Sequence, residues 1–269
     1  MSAELVGVLG VLCLVILILF LRMWIGMAMI LVGSVGILIL QTYKSTFGII
    51  STVPFETVAY YPMTAIPLFI LMGVIVGNTN IGENLYYSVH KWVGALRGGL
   101  ASATVLACAV FAAITGSSGT GTILMAKVAM PQMKKFKYDD KLSSGAIISS
   151  GTLGILIPPS MGLIIYGLLT EQSVGKLFIA GLVPGILLTL LFIIAIFIVT
   201  LINPKAGPAG PKTLVKEKIM SLRKTWHVVL LFFLVLGGIY QGFFTPTEAG
   251  AIGAFGALII AVATGQMTM

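Results

Sequence analysis

A chain of 269 residues with 58% hydrophobic and only 9% charged residues is not a soluble domain, where charged residues make up about a quarter. Its mean hydropathy of +1.09 instead places it in a membrane, packed against lipid and its own helices. The formal net charge of +8 would suit a nucleic-acid binder, but the basic residues lie between apolar runs rather than on one aromatic-studded face. They read as topology signals, and nucleic acid is excluded as a partner.

The predicted fold is all-α and polytopic. Leu5–Leu21 is a first span, closed by Arg22, and Trp24–Leu40 a second, with Trp24 as an interface anchor. No cleavable signal peptide is expected ahead of them. Gln41–Thr57, with Lys44, Pro54 and Glu56, reads as a loop holding a short interfacial piece. Val58–Val76 is a third span, with a kinked or split start at Pro62 and Pro67. Across Asn78–Arg97, the residues Leu85, Tyr86, Val89, Trp92 and Val93 follow helical spacing, which predicts an amphipathic surface helix.

Two apolar segments are then interrupted. Gly98–Ala113 and Thr122–Met133 flank the break Thr115-Gly116-Ser117-Ser118-Gly119-Thr120-Gly121, and neither arm is expected to cross comfortably by itself. Ser143–Ile155 and Gly162–Leu169 flank Gly151–Ser160, with Pro158 and Pro159 inside it. Unpaired backbone in hydrocarbon is costly, so irregular chain at that depth is buried in protein or lines a wet cavity. Secondary transporters build ion and substrate sites from such broken segments. Leu177–Leu201 is an ordinary long span, Asn203–Thr225 a Pro- and Lys-rich loop, and Trp226–Ile239 and Ala249–Ala263 the last spans.

Charge predicts the topology. If Gly98–Met133 is a re-entrant hairpin, 13 of the 16 Lys and Arg fall on one face, which is then cytoplasmic, with the N-terminus outside. These are Arg22, Lys91, Arg97, Lys134, Lys135, Lys137, Lys141, Lys205, Lys212, Lys216, Lys218, Arg223 and Lys224. Lys44 and Lys176 fall outside the set, and Lys127 lies within the hairpin. At its depth Lys127 either snorkels or faces a cavity.

At the hairpin tip, the hydroxyls of Gly116-Ser117-Ser118-Gly119 and the freed carbonyls offer neutral oxygens to a cation such as Na⁺. Amides near Thr120–Thr122 could face an anion. Close packing of small residues explains the same tip equally well. In Gly151–Ser160, two prolines remove amide donors, the glycines permit close approach, and Ser160 adds a hydroxyl. A kink alone would need only one proline, so a site is favoured there. Thr245-Pro246-Thr247-Glu248 reads as a capping box rather than an acidic ligand. Glu171 reads as a solvated carboxylate. Cys13 and Cys108 read as packing residues, and His90 and His227 lack partners at metal-ligand spacing. A Gly-x-Ser-Gly pattern could signal an intramembrane serine protease, but no histidine base lies at membrane depth. No ATP-binding motif is present.

The chain resembles the large membrane subunit (DctM type) of tripartite ATP-independent periplasmic (TRAP) transporters. The resemblance rests on Ile66–Gly73, Arg97–Ala101, Thr115–Ser118, Met130–Met133, Gly151–Ser160, Ile165–Gly167, Leu177–Gly181, Pro184-Gly185, Gly237–Tyr240 and Phe244–Ala249. It implies a non-enzymatic, elevator-type carrier for carboxylates (dicarboxylates, keto acids or sialic acids), coupled to Na⁺ with no other cofactor. It also implies a small DctQ-type membrane subunit and a periplasmic substrate-binding protein as partners, in a bacterial or archaeal cytoplasmic membrane. The implied sodium ligands come from Thr115, Gly116, Ser117, Ser118, Gly151, Gly154, Ile157 and Pro158, and the implied substrate contacts from Ser117, Ser118 and Ser160. On this reading residues 1–97 are scaffold, 98–170 the transport hairpin and broken helix, and 171–269 further spans. The family's second hairpin and second broken helix are not matched, so the chain reads as a fragment, part of a split gene or a truncated chain. The alternatives are a non-transporting scaffold, an inactive fragment or the protease.

Overall fold

The computed structural model describes residues 2–210, 213–223 and 225–265, so Lys212 and Lys224 of the basic set lie outside the described residues. The regular structure described is helical throughout, in agreement with the predicted class. Packing divides the chain into two units, Met1–Tyr60 and Tyr61–Met269.

In the first unit, α1 (Ala3–Leu19) and α2 (Ile25–Leu40) pack side by side, and Gly10 lets Val32 approach. Trp24 at the start of α2 is 82% exposed. The predicted loop after α2 is instead a 17-residue helix, α3 (Tyr43–Ala59), with Pro54 inside it. Its polar side chains do not break it because they bond to its own carbonyls. Ser51 and Thr52 donate to Gly48 O, and Thr57 donates to Val53 O at 2.7 Å.

In the second unit, the predicted third span is split as its prolines suggested. Pro62 falls in a 3₁₀ turn (Tyr61–Thr64), and Pro67 in the first turn of α4 (Ala65–Gly77), where a missing N–H is harmless. Helix α5 (Ile81–Val93) is amphipathic, and it packs on the protein through Ile81, Leu85 and Tyr86. Trp92, assigned to the apolar stripe, is 47% exposed, and the Lys218 ammonium lies 5.8 Å from its ring centroid. Burial holds the His90 imidazole pKa below its ordinary value, and the neighbouring Lys91 charge pushes the same way.

The core is α6 (Gly99–Thr115), buried along almost its whole length, where six alanines among its 17 residues let its neighbours approach closely. Helix α7 (Ser118–Lys135) returns beside it. Gly121 near the tip faces Cys108 and Phe111, and the Tyr138 hydroxyl at the base accepts a bond from Leu100 N at 3.1 Å. The two arms therefore form a hairpin. They have 17 and 18 residues, longer than expected, and the break between them is only Gly116–Ser117. Helices α8 (Asp140–Gly151), α9 (Leu153–Leu156) and α10 (Met161–Leu169) form the broken helix, bent by 41°.

Helix α11 (Val174–Ile202) is long and apolar enough to cross a bilayer by itself, as is the final helix (Pro246–Ala263). Residues 203–210 then cross the hairpin base as a strap. Gly207 O accepts from Gly98 N, Ala206 O accepts from Asp139 N, and Gly210 N donates to Gly94 O, each at 2.9 Å. The predicted loop Asn203–Thr225 also contains a helix, α12 (Val215–Leu222), that sequence reading missed. Three contacts tie it and the residues before it to α5. Ser88 Oγ donates to Ser221 O at 2.8 Å, Lys91 pairs with Glu217 at 2.8 Å, and Thr213 Oγ1 donates to Lys91 O at 2.6 Å. The glutamate bond raises the Lys91 pKa above its ordinary value.

Helices α13 (Trp226–Phe232) and α14 (Gly238–Tyr240) join through a π turn (Phe233–Gly237). The final helix, α15, opens with the predicted capping box. Thr245 Oγ1 accepts from Glu248 N, and the Glu248 carboxylate accepts from Thr245 N at 2.8 Å. Its small residues Gly250 and Gly253 bring it close to Leu68 and Met72 of α4. Glu171 is exposed, as expected of a solvated carboxylate.

Candidate functional site

The two breaks lie against each other. Met161 N, the first amide of α10, donates to Gly116 O at the hairpin tip, at 3.3 Å. Gly116 has φ +60°, and a methyl there would stand 2.5 Å from Pro159 O. Only glycine meets both demands without strain. Gly154 packs on the tip backbone, where a methyl would lie 2.9 Å from Ser118 N and 3.0 Å from Ser117 C. Gly151 gives room to Thr122, whose hydroxyl would overlap any side chain placed there.

Each candidate residue has a definite environment. The Thr115 hydroxyl is buried and donates to Phe111 O at 3.1 Å, so only its carbonyl could serve a ligand. Ser117 caps α7, and its Oγ accepts from the Thr120 hydroxyl at 3.2 Å. Ser118 is half-buried, and its carbonyl accepts from Thr122 Oγ1 at 2.8 Å. Ser160 is fully buried. It caps α10, and its hydroxyl donates across the break to Ile155 O at 2.6 Å. Ile157 and Pro158 are buried in the break, and the Pro158–Pro159 bond is cis.

All nine residues thus gather where four helix ends meet. Helices α6 and α9 end there and α7 and α10 begin there, so carbonyl ends face amide ends, with Met161 N already bonded to Gly116 O. Carbonyl ends suit a cation, and amide ends suit an anion.

Sequence reading missed the bed on which the breaks rest. Gly181 and Gly185 of α11 sit under the second break, where methyls would stand 2.6 Å from Leu156 O and 2.7 Å from the Ile157 side chain. Gly73 of α4 does the same for Thr115, at 3.1 Å from its Cα. Their signal was a glycine in an otherwise apolar run, which also fits plain helix packing. Neither histidine serves the tip as a base. The His90 ring lies against Tyr86 and Phe136, and the His227 ring against Trp226.

Broken helices meeting end to end in an all-helical body, with broad apolar surfaces on its long helices, define an integral membrane protein of the transport type. The family described as the tripartite ATP-independent periplasmic transporter, DctM component, matches residues 12–269, and the chain belongs to that family. The C4-dicarboxylate TRAP transporter large permease protein DctM of Pseudomonas aeruginosa is 43% identical over 208 residues, covering 77% of this chain and 48% of that protein. The ectoine TRAP transporter large permease protein TeaC of Halomonas elongata is 35% identical, covering 70% and 44%. The sialic acid TRAP transporter permease protein SiaT of Haemophilus influenzae is 30% identical, covering 74% and 32%. These relatives are named as permeases, not enzymes, and the chain spans about half or less of their length.

Proposed function

We propose that the chain supplies the first half of a sodium-coupled permease for an organic acid in the cytoplasmic membrane of a bacterium or archaeon. The carrying observation is the contact between the two breaks, Met161 N to Gly116 O and Gly154 on Ser118. Na⁺ is held by oxygens at the two breaks, drawn from Thr115, Gly116, Ser117, Ser118, Gly151, Gly154, Ile157 and Pro158. A carboxylate then binds beside it, facing the starts of α7 and α10. Ser117 and Ser118 contact it, whereas Ser160, whose hydroxyl is committed to Ile155 O, shapes the break.

Ion binding orders both breaks, and residues 98–170 then move as a block. The basic loops face the cytoplasm and the N-terminus lies outside. A DctQ-type membrane subunit and a periplasmic binding protein complete the system. The names of the relatives include a C4-dicarboxylate, ectoine and sialic acid, each bearing a carboxylate, and also isethionate, a sulfonate, so they support an organic anion, with carboxylate the commoner kind.

The test is uptake of labelled organic acids into proteoliposomes holding the whole complex, with inward Na⁺ or choline gradients. Uptake that depends on Na⁺ is expected. Equal uptake with choline would refute the coupling.

A further inference from the structure

Lys127 lies nine residues past Ser118 on α7, about 13 Å along the helix from the tip at 1.5 Å per residue. An ammonium at such depth needs water or a counter-ion. Lys127 lines two cavities, of about 640 and 450 Å³, that share Glu83, Lys127 and Val128. They form one groove between α7 and the corner of α4 and α5. The groove begins at Thr120, whose hydroxyl bonds Ser117 at the tip, and ends at Lys135 and Lys91 near the hairpin base.

The charges along it are unequal. Lys91, Lys127 and Lys135 face one carboxylate, that of Glu83. Lys91 is already paired with Glu217, whereas Lys127 makes no ion pair among the described residues, with Glu83 or any other. An ammonium with no ion pair, lining a groove of this size, is a site open to an anion.

We propose that this groove is a carboxylate path, and that Lys127 Nζ is its binding station between the hairpin tip and the hairpin base. The proposal rests on the tip being the substrate site. It adds a second site, 13 Å or so away along α7, with its own chemistry. The apolar walls from Val74, Ile123, Leu124 and Val128 suit the carbon skeleton of an organic acid, and the ammonium suits its carboxylate.

The test reads the groove without transport or sodium. In the full-length permease with Cys13 and any exposed cysteine outside these 269 residues replaced by alanine, in phosphatidylcholine nanodiscs, Ile123→Cys and Gln132→Cys place one reactive thiol on either side of Lys127, with Cys108 buried. Their rates of modification by anionic (sulfonatoethyl) and cationic (trimethylammonioethyl) methanethiosulfonates are compared, each normalised to a free thiol. The anionic reagent should be favoured roughly tenfold at position 123. That preference should vanish or reverse with Lys127→Gln, persist with Lys127→Arg and grow with Glu83→Gln. Succinate should slow modification at position 123.

An unreactive thiol at 123, or a preference unmoved by Lys127→Gln, would overturn the proposal. Slowing by phosphatidylglycerol nanodiscs but not by succinate would also overturn it, assigning the groove to a lipid headgroup. Because no ion gradient enters the assay, a failed sodium-coupling experiment leaves its outcome readable.

Discussion

Replacing Gly116 with alanine puts two independent strains on one atom. The residue sits at φ +60°, a conformation that costs an L-residue about 1–2 kcal/mol. The new methyl would also stand 2.5 Å from Pro159 O, a backbone atom that cannot rotate away. Overpacking of this kind costs about 1–3 kcal/mol. Together they destabilise the protein by about 2–5 kcal/mol, or a fall in melting temperature of roughly 4 °C or more at about 2–4 °C per kcal/mol. A thiol-reactive dye on Cys108, buried beside Gly121 under the tip, reports unfolding once Cys13 is replaced by alanine. Gly119→Ala is the control. It lies three residues away, its methyl would meet nothing within 4 Å, and it is helical, so the change should be neutral or stabilise by about 0.5–1 kcal/mol. Equal melting of Gly116→Ala and wild type, or equal loss in the control, would refute the account of the tip.

Other outcomes follow from the same contacts. Gly154→Val should push Ser118 off the broken helix and abolish any sodium-induced rise in melting temperature, read by the same dye. Thr245→Ala removes one side of the capping box and should lower stability by about 1 kcal/mol. Ser88→Ala should expose α12 to trypsin at Lys216 and Lys218 more than Lys91→Ala does. It removes a buried bond of about 0.5–1.5 kcal/mol, against an exposed ion pair of about 0–1 kcal/mol. His90 has a lowered pKa in the folded chain, so the unfolded chain takes up its proton first as pH falls. Its contribution is complete above the ordinary value of 6.5 and is lost as pH falls from there toward the folded value. The difference in melting temperature between pH 7.5 and 5.5 should therefore shrink in His90→Gln.

The all-helical class, the order of the apolar segments, the hairpin and the capping box were legible because each leaves a local signature: an apolar run, a Gly-Ser cluster, or Thr-Pro-x-Glu. The width of the breaks was not. Serine, threonine and glycine suggest irregular chain, yet Ser118 to Gly121 and Gly151 to Leu156 are mostly helical, with the hydroxyls of Thr122 and Thr152 satisfied by carbonyls of the preceding turn. Helices α3 and α12 were hidden for related reasons. Their polar and charged residues look like loop until Ser51, Thr52 and Thr57 are seen bonding to their own helix, or Glu217 reaching Lys91. The meeting of the two breaks was anticipated because broken segments in transporters build a common site, and from the family resemblance, not from any residue that marks the contact itself. The glycines of α11 that support them carry no sign of their partner.

The strap over the hairpin base has a consequence for how the chain is made. Gly98 N waits for Gly207 O, and Asp139 N for Ala206 O. At a ribosome adding about 5–20 residues per second, the foot at Gly98 stays untied for roughly 5–20 s after it emerges and the foot at Asp139 for roughly 3–13 s. During that interval a chaperone or the insertion machinery has its opportunity to hold them.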